Sequence, residues 1–337
     1  MAEDKDISIS VIIPTNNSSE LTRHYLPQLC AHIEECDNII SSYEIVVSDS
    51  NPNNGELIGE TDSGQPNVRL IYAKPGLSDV ENLNNALFAA TKEYVLMLGD
   101  NILPTYNYFN ELISLFQYVP SLFGASGNTL VSTNTDYSTG LKTLDPTASG
   151  ISIVEVPFKS KKPTYTLALS ESNMLINRRL LCIMGGFCTL YKNIDAAKTD
   201  VCIRAWRAGR KCLFTAAANC KQFALQQPKE EDSHQRNIDK TFNNLVLNHL
   251  HTSRLLHLKF WGSFTANYIR TVFSGKEEQK DQKAANKQFL NRIKAIHTVR
   301  HWFKKQRNEP FDKIAKGYFS GPLQEISLSR QHENNNI

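Results

Sequence analysis

Over its first hundred residues the chain alternates short apolar, β-branched runs with stretches of helical periodicity. Ile7–Pro14 (ISISVIIP) is an apolar run closed by proline, the pattern of a strand buried on both faces. The cap-rich TNNSSE follows, then an apolar-periodic segment from Leu21 to Ile33 that predicts a helix. Tyr43–Val47 and Asn67–Ala73 read as a second and third strand, Leu83–Ala90 as a helix, and Tyr94–Leu98 as a fourth strand. Strands alternating with helices predict a parallel α/β sheet. Such sheets bind ligands beyond the carboxyl ends of their strands. The polar segments TNN, SDSN and GDN follow three of these strands and would gather on one edge of the sheet.

Further along, residues 129–162 are rich in Thr, Ser, Gly and Pro and read as irregular loops with a hairpin. Residues 170–225 return to an α/β pattern, with a helix at Asp200–Gly209 and a strand at Lys211–Thr215. Gln226–Lys240 is polar, contains Pro228 and predicts a linker. From Thr241 to about Phe319 the pattern is helical, and the terminal RQHENNNI reads as frayed. The expected organisation is an α/β domain over 1–225, a linker over 226–240 and a basic helical region over 241–337.

The 337 residues, 41% hydrophobic and 21% charged, exclude wholesale disorder. A net charge of +3 is uninformative, but its distribution is not: residues 1–100 hold 16 acids and 5 bases, and residues 254–317 hold 15 bases and 5 acids. Two surfaces with different partners are expected. No apolar run reaches the roughly 18 residues of a membrane-spanning helix. The opening MAEDKDISIS reads as neither a secretory signal nor a transit peptide. Seven cysteines, odd in number and without a CxxC pair, indicate neither a disulfide framework nor a zinc site. Reduced cysteines in a cytoplasmic protein are expected.

The ordered segments SVIIPTNN, YEIVVSDSN and EYVLMLGDNILP resemble the nucleotide-binding half of family 2 glycosyltransferases, which have the GT-A fold, a Rossmann-like and mostly parallel central sheet. ESNMLINRRLL, GGF and TDVCIRAWRAG resemble the acceptor half of the same family. The likeness covers roughly residues 8–220. It implies a nucleotide-sugar donor gripped by Pro14 and Thr15, with Asp49 accepting from the base and Asn84 on the donor-side helix. It implies an acceptor side lined by Glu171, Ser172 and Asn173. Gly99–Asp100–Asn101 stands where the family carries its DxD-like motif, so Asp100 would hold a divalent cation, Mn²⁺ or Mg²⁺, together with the donor diphosphate.

The resemblance leaves the base open. Counted back without gaps from Ala208–Gly209, the family's Glu-Asp pair falls on Ala197 and Lys198, with Asp200 on a later acidic position. A shortened helix instead places the pair on Thr199–Asp200. Asp195 is a third choice, and no base at all a fourth. With Asp200 as base, the implied reaction is an inverting transfer to a glycan or lipid-linked acceptor in cell-surface polysaccharide biosynthesis. A glycosyltransferase-like protein that binds nucleotide or glycan, or scaffolds a complex, without catalysis is the alternative, kept alive by Gly99 and Lys198.

In the C-terminal region two apolar stripes recur at helical spacing: Leu255, Leu258, Trp261, Phe264, Tyr268 and Val272, then Phe289, Ile293, Ile296, Val299 and Phe303. Lys287, Arg292, Lys294, Arg300, Lys304, Lys305 and Arg307 surround the second. Packing on the α/β core is one reading, and docking of residues 255–307 on the anionic cytoplasmic face of a membrane is the sharper one. No recognised nucleic-acid-binding module is present.

Overall fold

Strand β1 (Ile7–Thr15) lies within the sheet and buries both faces, as its unbroken apolar run predicts. Ile9, Val11 and Ile13 enter one core cluster and Ile12 the other, following the alternation of side chains along a strand. The computed structural model describes residues 7–15, 25–36, 39–50, 67–72, 76–130, 140–145, 150–223, 233–273, 279–305 and 309–326. Asn16 and Asn17 of the TNN segment, residues 21–24 of the first predicted helix, 131–139 and 146–149 of the loop region, and Arg307 lie outside them.

β1 pairs in parallel with β2 (Ile40–Asp49) and β4 (Tyr94–Leu98), and β2 with β3 (Val68–Tyr72). Helix α1 (Leu26–Glu34) opens with a proline in its first turn, where a missing N–H costs nothing. Helix α2 (Asp79–Ala89) starts before the predicted Leu83, because Ser78 and Glu81 form a reciprocal capping box. Strand β5 (Ile102–Pro104), helix α3 (Tyr108–Tyr118) and strand β6 (Leu122–Leu130) follow. The expected hairpin is β7 (Lys142–Leu144) with β8 (Ile153–Glu155).

After β9 (Thr164–Tyr165), strand β10 (Asn173–Asn177) inserts antiparallel between β4 and β6, so its start meets the carboxyl end of β4. Helix α4 (Arg178–Ile183), helix α5 (Ile194–Arg207) and strand β11 (Lys211–Gln222) complete this part. The sheet order is β3-β2-β1-β4-β10-β6-β11-β5, with β9 also paired to β11.

Helix α6 (Ser233–His251) begins inside the segment read as a linker: residues 233–240 are its first turns, and 224–232 lie outside the described residues. α7 (Arg254–Phe273), α8 (Lys280–Lys305) and α9 (Phe311–Ile314) follow. Phe242, Val246 and Leu250 of α6 and Phe289, Ile296 and Phe303 of α8 share one apolar cluster with Val201 and Trp206 of α5, so the helical region and the sheet have a common core. The stripe read along α7 divides. Phe264 is buried and Trp261 and Tyr268 pack against the cluster, whereas Leu255 and Leu258 are each 67% exposed. Three successive steps of three residues each fall about 60° short of a full turn, so Leu255 and Phe264 lie on opposite sides of α7, about 180° apart.

A buried charge network joins α5 to the C-terminal helices. Asp200, fully buried, accepts from Arg204 Nε (2.7 Å), Tyr191 Oη (3.0 Å) and His251 Nε2 (2.7 Å). Arg207 Nη1 stands 3.3 Å from His251 Nδ1. An arginine can only donate, so Nδ1 accepts and Nε2 carries the proton given to Asp200: the imidazole is neutral. Arg204 also donates to the Met184 and Gly186 carbonyls, both at 2.7 Å. Burial alone would raise the Asp200 carboxyl, but Arg204 and His251 outweigh it and bring it down to about 2. At the end of α6, Arg300 of α8 donates to the carbonyls of His249 and Thr252.

Burial lowers three histidines of this region, His251 in direction, His249 to about 3 and His257 to about 4. A group whose folded pKa lies below its unfolded value, about 6.5 for histidine, destabilises the fold once pH falls below the unfolded value. The melting temperature is therefore expected to fall as pH drops from about 7 toward 5, before most carboxylates titrate. Differential scanning fluorimetry across that range checks it, and His249→Asn should flatten the slope.

Candidate functional site

The carboxyl ends of β1, β2 and β4 open onto a cleft of about 520 Å³. Pro14 and Thr15 end β1 there, Ser48 and Ser50 lie at the end of β2, and Gly99, Asp100 and Asn101 follow β4. Asp79 and Asn82 come from the first turn of α2, Glu171 and Ser172 from the segment before β10, and Ile194, Asp195 and Lys198 from the first turns of α5. Two helix N-termini thus border the cleft, each with a positive dipole end.

One wall is locked by short bonds. Thr15 Oγ1 donates to Asp100 Oδ2 at 2.9 Å, and the Ser50 amide donates to the Thr15 carbonyl at 2.8 Å. Gly99 N donates to the Ser172 carbonyl at 2.8 Å, tying the β4 end to the segment before β10. Asn101 Nδ2 donates to the Phe223 carbonyl at 3.2 Å. The other wall carries alternating charge: Glu171 is ion-paired with Lys142, and Lys198 Nζ donates to the Glu171 carbonyl at 2.5 Å. Burial pushes the Lys198 ammonium down, with Asp195 and Glu171 opposing. Asp195 stays open to solvent at the cleft mouth, while the protein around it desolvates the carboxyl enough to raise it despite Lys198. Solvent can reach Asp195, and so can a substrate.

The residues singled out from sequence separate on this geometry. Pro14, Thr15, Asp100, Glu171 and Ser172 line the cleft. Asp49 does not; it is buried at the end of β2, between Ser48 and Ser50, which do. Asn173 is buried as a junction, its Oδ1 accepting from the Gly127 amide (2.7 Å) and its Nδ2 donating to Thr129 (3.0 Å). Asn84 clamps the loop before α5: it exchanges two 2.8 Å bonds with the Phe187 backbone. The neighbouring Gly186 has φ +70°, and a Cβ there would meet Asn84 Oδ1 at 2.6 Å, so this contact requires glycine.

Asp200 lies in the core network and not on the cleft. The sequence pattern predicts Asp200 as the acid that opens its helix. The helix opens at Ile194, where the Asn193 side chain caps the Ala196 amide at 2.9 Å, so the first-turn acid is Asp195.

Asp79 and Asn82, which no motif in the sequence marks, also line the cleft. Asn82 is nearly buried and its Oδ1 has no hydrogen-bond partner. Asp79 and Asn82 are three apart and share a face of α2; Asn84, two further on, is turned about 200° away. A capping box recognised at Ser78-x-x-Glu81 would have set the helix phase and pointed to Asn82.

No known protein family matches the chain by sequence profile, and no curated protein matches it by sequence. Among solved structures it is similar to the crystal structure of GalNAc-T7 with UDP, GalNAc and Mn²⁺, with TM-score 0.57 and 11% identity over 88% of this chain. It spans 58% of that protein's chain. A second match, at TM-score 0.46 and 14% identity, is the mannosyltransferase PcManGT from Pyrobaculum calidifontis in complex with GDP-Man and Mn²⁺; it covers 92% of this chain and 74% of that one.

The two asparagines of α2 differ in what their loss removes. Asn84→Ala is expected to lower stability by about 1–3 kcal/mol, since it deletes two bonds and strands the Phe187 backbone groups. Asn82→Ala should cost less, because its oxygen has no bond to lose. Urea denaturation of both variants makes the comparison. The likeness to GalNAc-T7 at TM-score 0.57 shows that this chain has the GT-A glycosyltransferase fold expected from its motifs.

Proposed function

We propose that the chain is an inverting glycosyltransferase of family 2 type that moves a sugar from a nucleoside-diphosphate donor to a hydroxyl of a glycan or lipid-linked acceptor. The observation that carries the reading is one cleft at the strand ends of a GT-A sheet, with Pro14, Thr15 and Asp100 in one wall and Asp195 and Lys198 in the facing helix turn. In this reading Thr15, Ser48 and Ser50 receive the nucleoside, and the unpartnered Asn82 oxygen accepts from it. Asp49 acts through Ser48 and Ser50, which it flanks. The acceptor enters beside Glu171 and Ser172.

Asp195, not Asp200, is the general base. It takes the acceptor proton as that oxygen attacks the anomeric carbon, while the bond from that carbon to the diphosphate oxygen breaks and the electron pair leaves with the nucleoside diphosphate. A raised carboxyl serves this role better than an ordinary one, since proton transfer is best matched near the working pH. Asp200 is unsuited to it: it has no access to the cleft, and at about 2 it is a weak acceptor of protons. Lys198 supplies a fixed positive charge for the leaving diphosphate.

The donor set for a divalent cation is small. Asp100 and the amide oxygen of Asn101 are hard oxygen donors at the β4 end, and diphosphate oxygens and water would complete a six-ligand shell. Among the described residues no group of three His, Cys, Asp or Glu is placed to hold a metal ion. Asp100 and Asn101 therefore fit Mn²⁺ or Mg²⁺ only jointly with the donor, where the ion would neutralise charge on the diphosphate. The non-catalytic alternative rests on Gly99 in place of an acid and on the Lys198 ammonium beside Asp195. Turnover over a panel of nucleotide sugars and glycan acceptors decides between the two; nucleotide binding without transfer would favour the alternative.

Asp195→Asn should lower kcat by about a hundredfold or more with donor Kd little changed. Wild-type kcat should fall as pH drops through the raised Asp195 value, because the base must be ionised. Asp200→Asn should act instead through stability, seen as a lowered melting temperature. Separately, Asp100→Ala should abolish the Mn²⁺ dependence of nucleoside-diphosphate binding in calorimetry. Unchanged binding in that variant would remove Asp100 from the site.

A further inference from the structure

α7 is apolar on two sides. Phe264 and its neighbours Phe260, Trp261 and Tyr268 pack into the core cluster and fix the rotation of the helix. On the outer side Leu255 and Leu258 are each 67% exposed, Ile269 51% and Phe273 84%. With Gly262 and Ala266, also exposed, these residues sit three or four apart and form one continuous stripe, about 27 Å long. Since the opposite side is already packed, the helix cannot turn the stripe inward.

The charge around the stripe narrows what can cover it. α7 contains no Asp or Glu, and the exposed Arg254, Lys259 and Arg270 flank the stripe. In α8, behind it, the one acid is Asp281. A two-fold pairing of α7 with a second copy would set these bases against each other with no acid on either helix to offset them. A lipid surface carrying negative headgroups matches both the apolar stripe and its basic margins. Among the described residues no helix is long and apolar enough to cross a membrane, so the fit is to a helix lying on the surface.

We propose that α7 lies in the plane of an anionic lipid bilayer, its Leu255–Phe273 stripe in the acyl boundary and Arg254, Lys259 and Arg270 among the headgroups. This places the contact on α7, not on the bases around the α8 stripe: Phe289, Ile296 and Phe303 are buried, Arg300 is spent on the α6 carbonyls, and Arg292 donates to Leu190 at 3.2 Å. α6, against which α7 packs, holds the loop before α5: the Lys192 amide donates to Asn243 at 2.9 Å. The docked α7 is thus linked through α6 to the segment that carries Asp195 into the cleft.

The test is co-sedimentation of the full chain with vesicles of phosphatidylglycerol mixed with phosphatidylcholine, against pure phosphatidylcholine, with no sugar donor present. Its result is therefore independent of whether the chain transfers sugar. Binding to the anionic vesicles, weakening as salt rises, is expected. Replacing Arg254, Lys259 and Arg270 together by Gln should weaken it about a hundredfold. Leu258→Ser with Phe273→Ser should weaken it about tenfold or more. All five positions are exposed, so melting temperatures should stay at the wild-type value and exclude misfolding. Absence of binding, equal binding to neutral vesicles, or binding that both variants retain would overturn the proposal. So would a dimer in sedimentation velocity that the Leu258/Phe273 variant dissociates while no vesicles are bound.

Discussion

The charge of Asp200, buried with no access to water, is the constraint around which α5 and the C-terminal helices are arranged. An ionised carboxylate in a dry interior is tolerated only when its lone pairs are filled by well-placed donors. Here the donors come from three places: Arg204 one turn along α5, Tyr191 in the loop before it, and His251 at the end of α6. Removing one partner of such a group typically costs about 3–5 kcal/mol, because the charge left behind has nowhere to go. The network therefore specifies that α5, the loop and α6 come together in one relative placement. Arg204 extends it by taking the carbonyls of Met184 and Gly186, which have no helical partner.

The cleft inherits its shape from that placement. α5 brings Asp195 and Lys198 to the sheet edge from a helix whose middle is fixed by Asp200 and whose start is fixed by the Asn193 cap. The clamp of Asn84 on Phe187 holds the intervening loop against α2, which delivers Asp79 and Asn82 to the same cleft. Two carboxylates five residues apart on one helix thus have opposite properties. Asp195 is reachable and raised, and Asp200 is sealed and lowered; environment sets the difference, as it does wherever paired acids divide their roles.

The C-terminal helices belong to the same device. α6 contributes His251, α8 contributes Arg300 across the last carbonyls of α6, and the aromatic residues of α6, α7 and α8 pack into the apolar cluster that α5 shares with the sheet. A chain without them would leave Asp200 short of a donor and the α5 cluster open to water.

Properties that depend on a few neighbouring residues were legible in the sequence. The apolar runs determined the parallel strands, and the polar residues directly after them determined where the cleft opens, because a strand's end is a local feature. Pro14, Thr15 and Asp100 were found that way. Helix phase was less secure: at 100° per residue, a start misplaced by a few residues turns a different face to the ligand. The phases the helices adopt bring Asn82 rather than Asn84, and Asp195 rather than Asp200, to the cleft. Which side of α7 packs, and that Asp200 is a core anchor, only the tertiary structure decided. The deciding partner of Asp200, His251, stands 51 residues away, and no local pattern encodes a bond between side chains that only the folded core brings together.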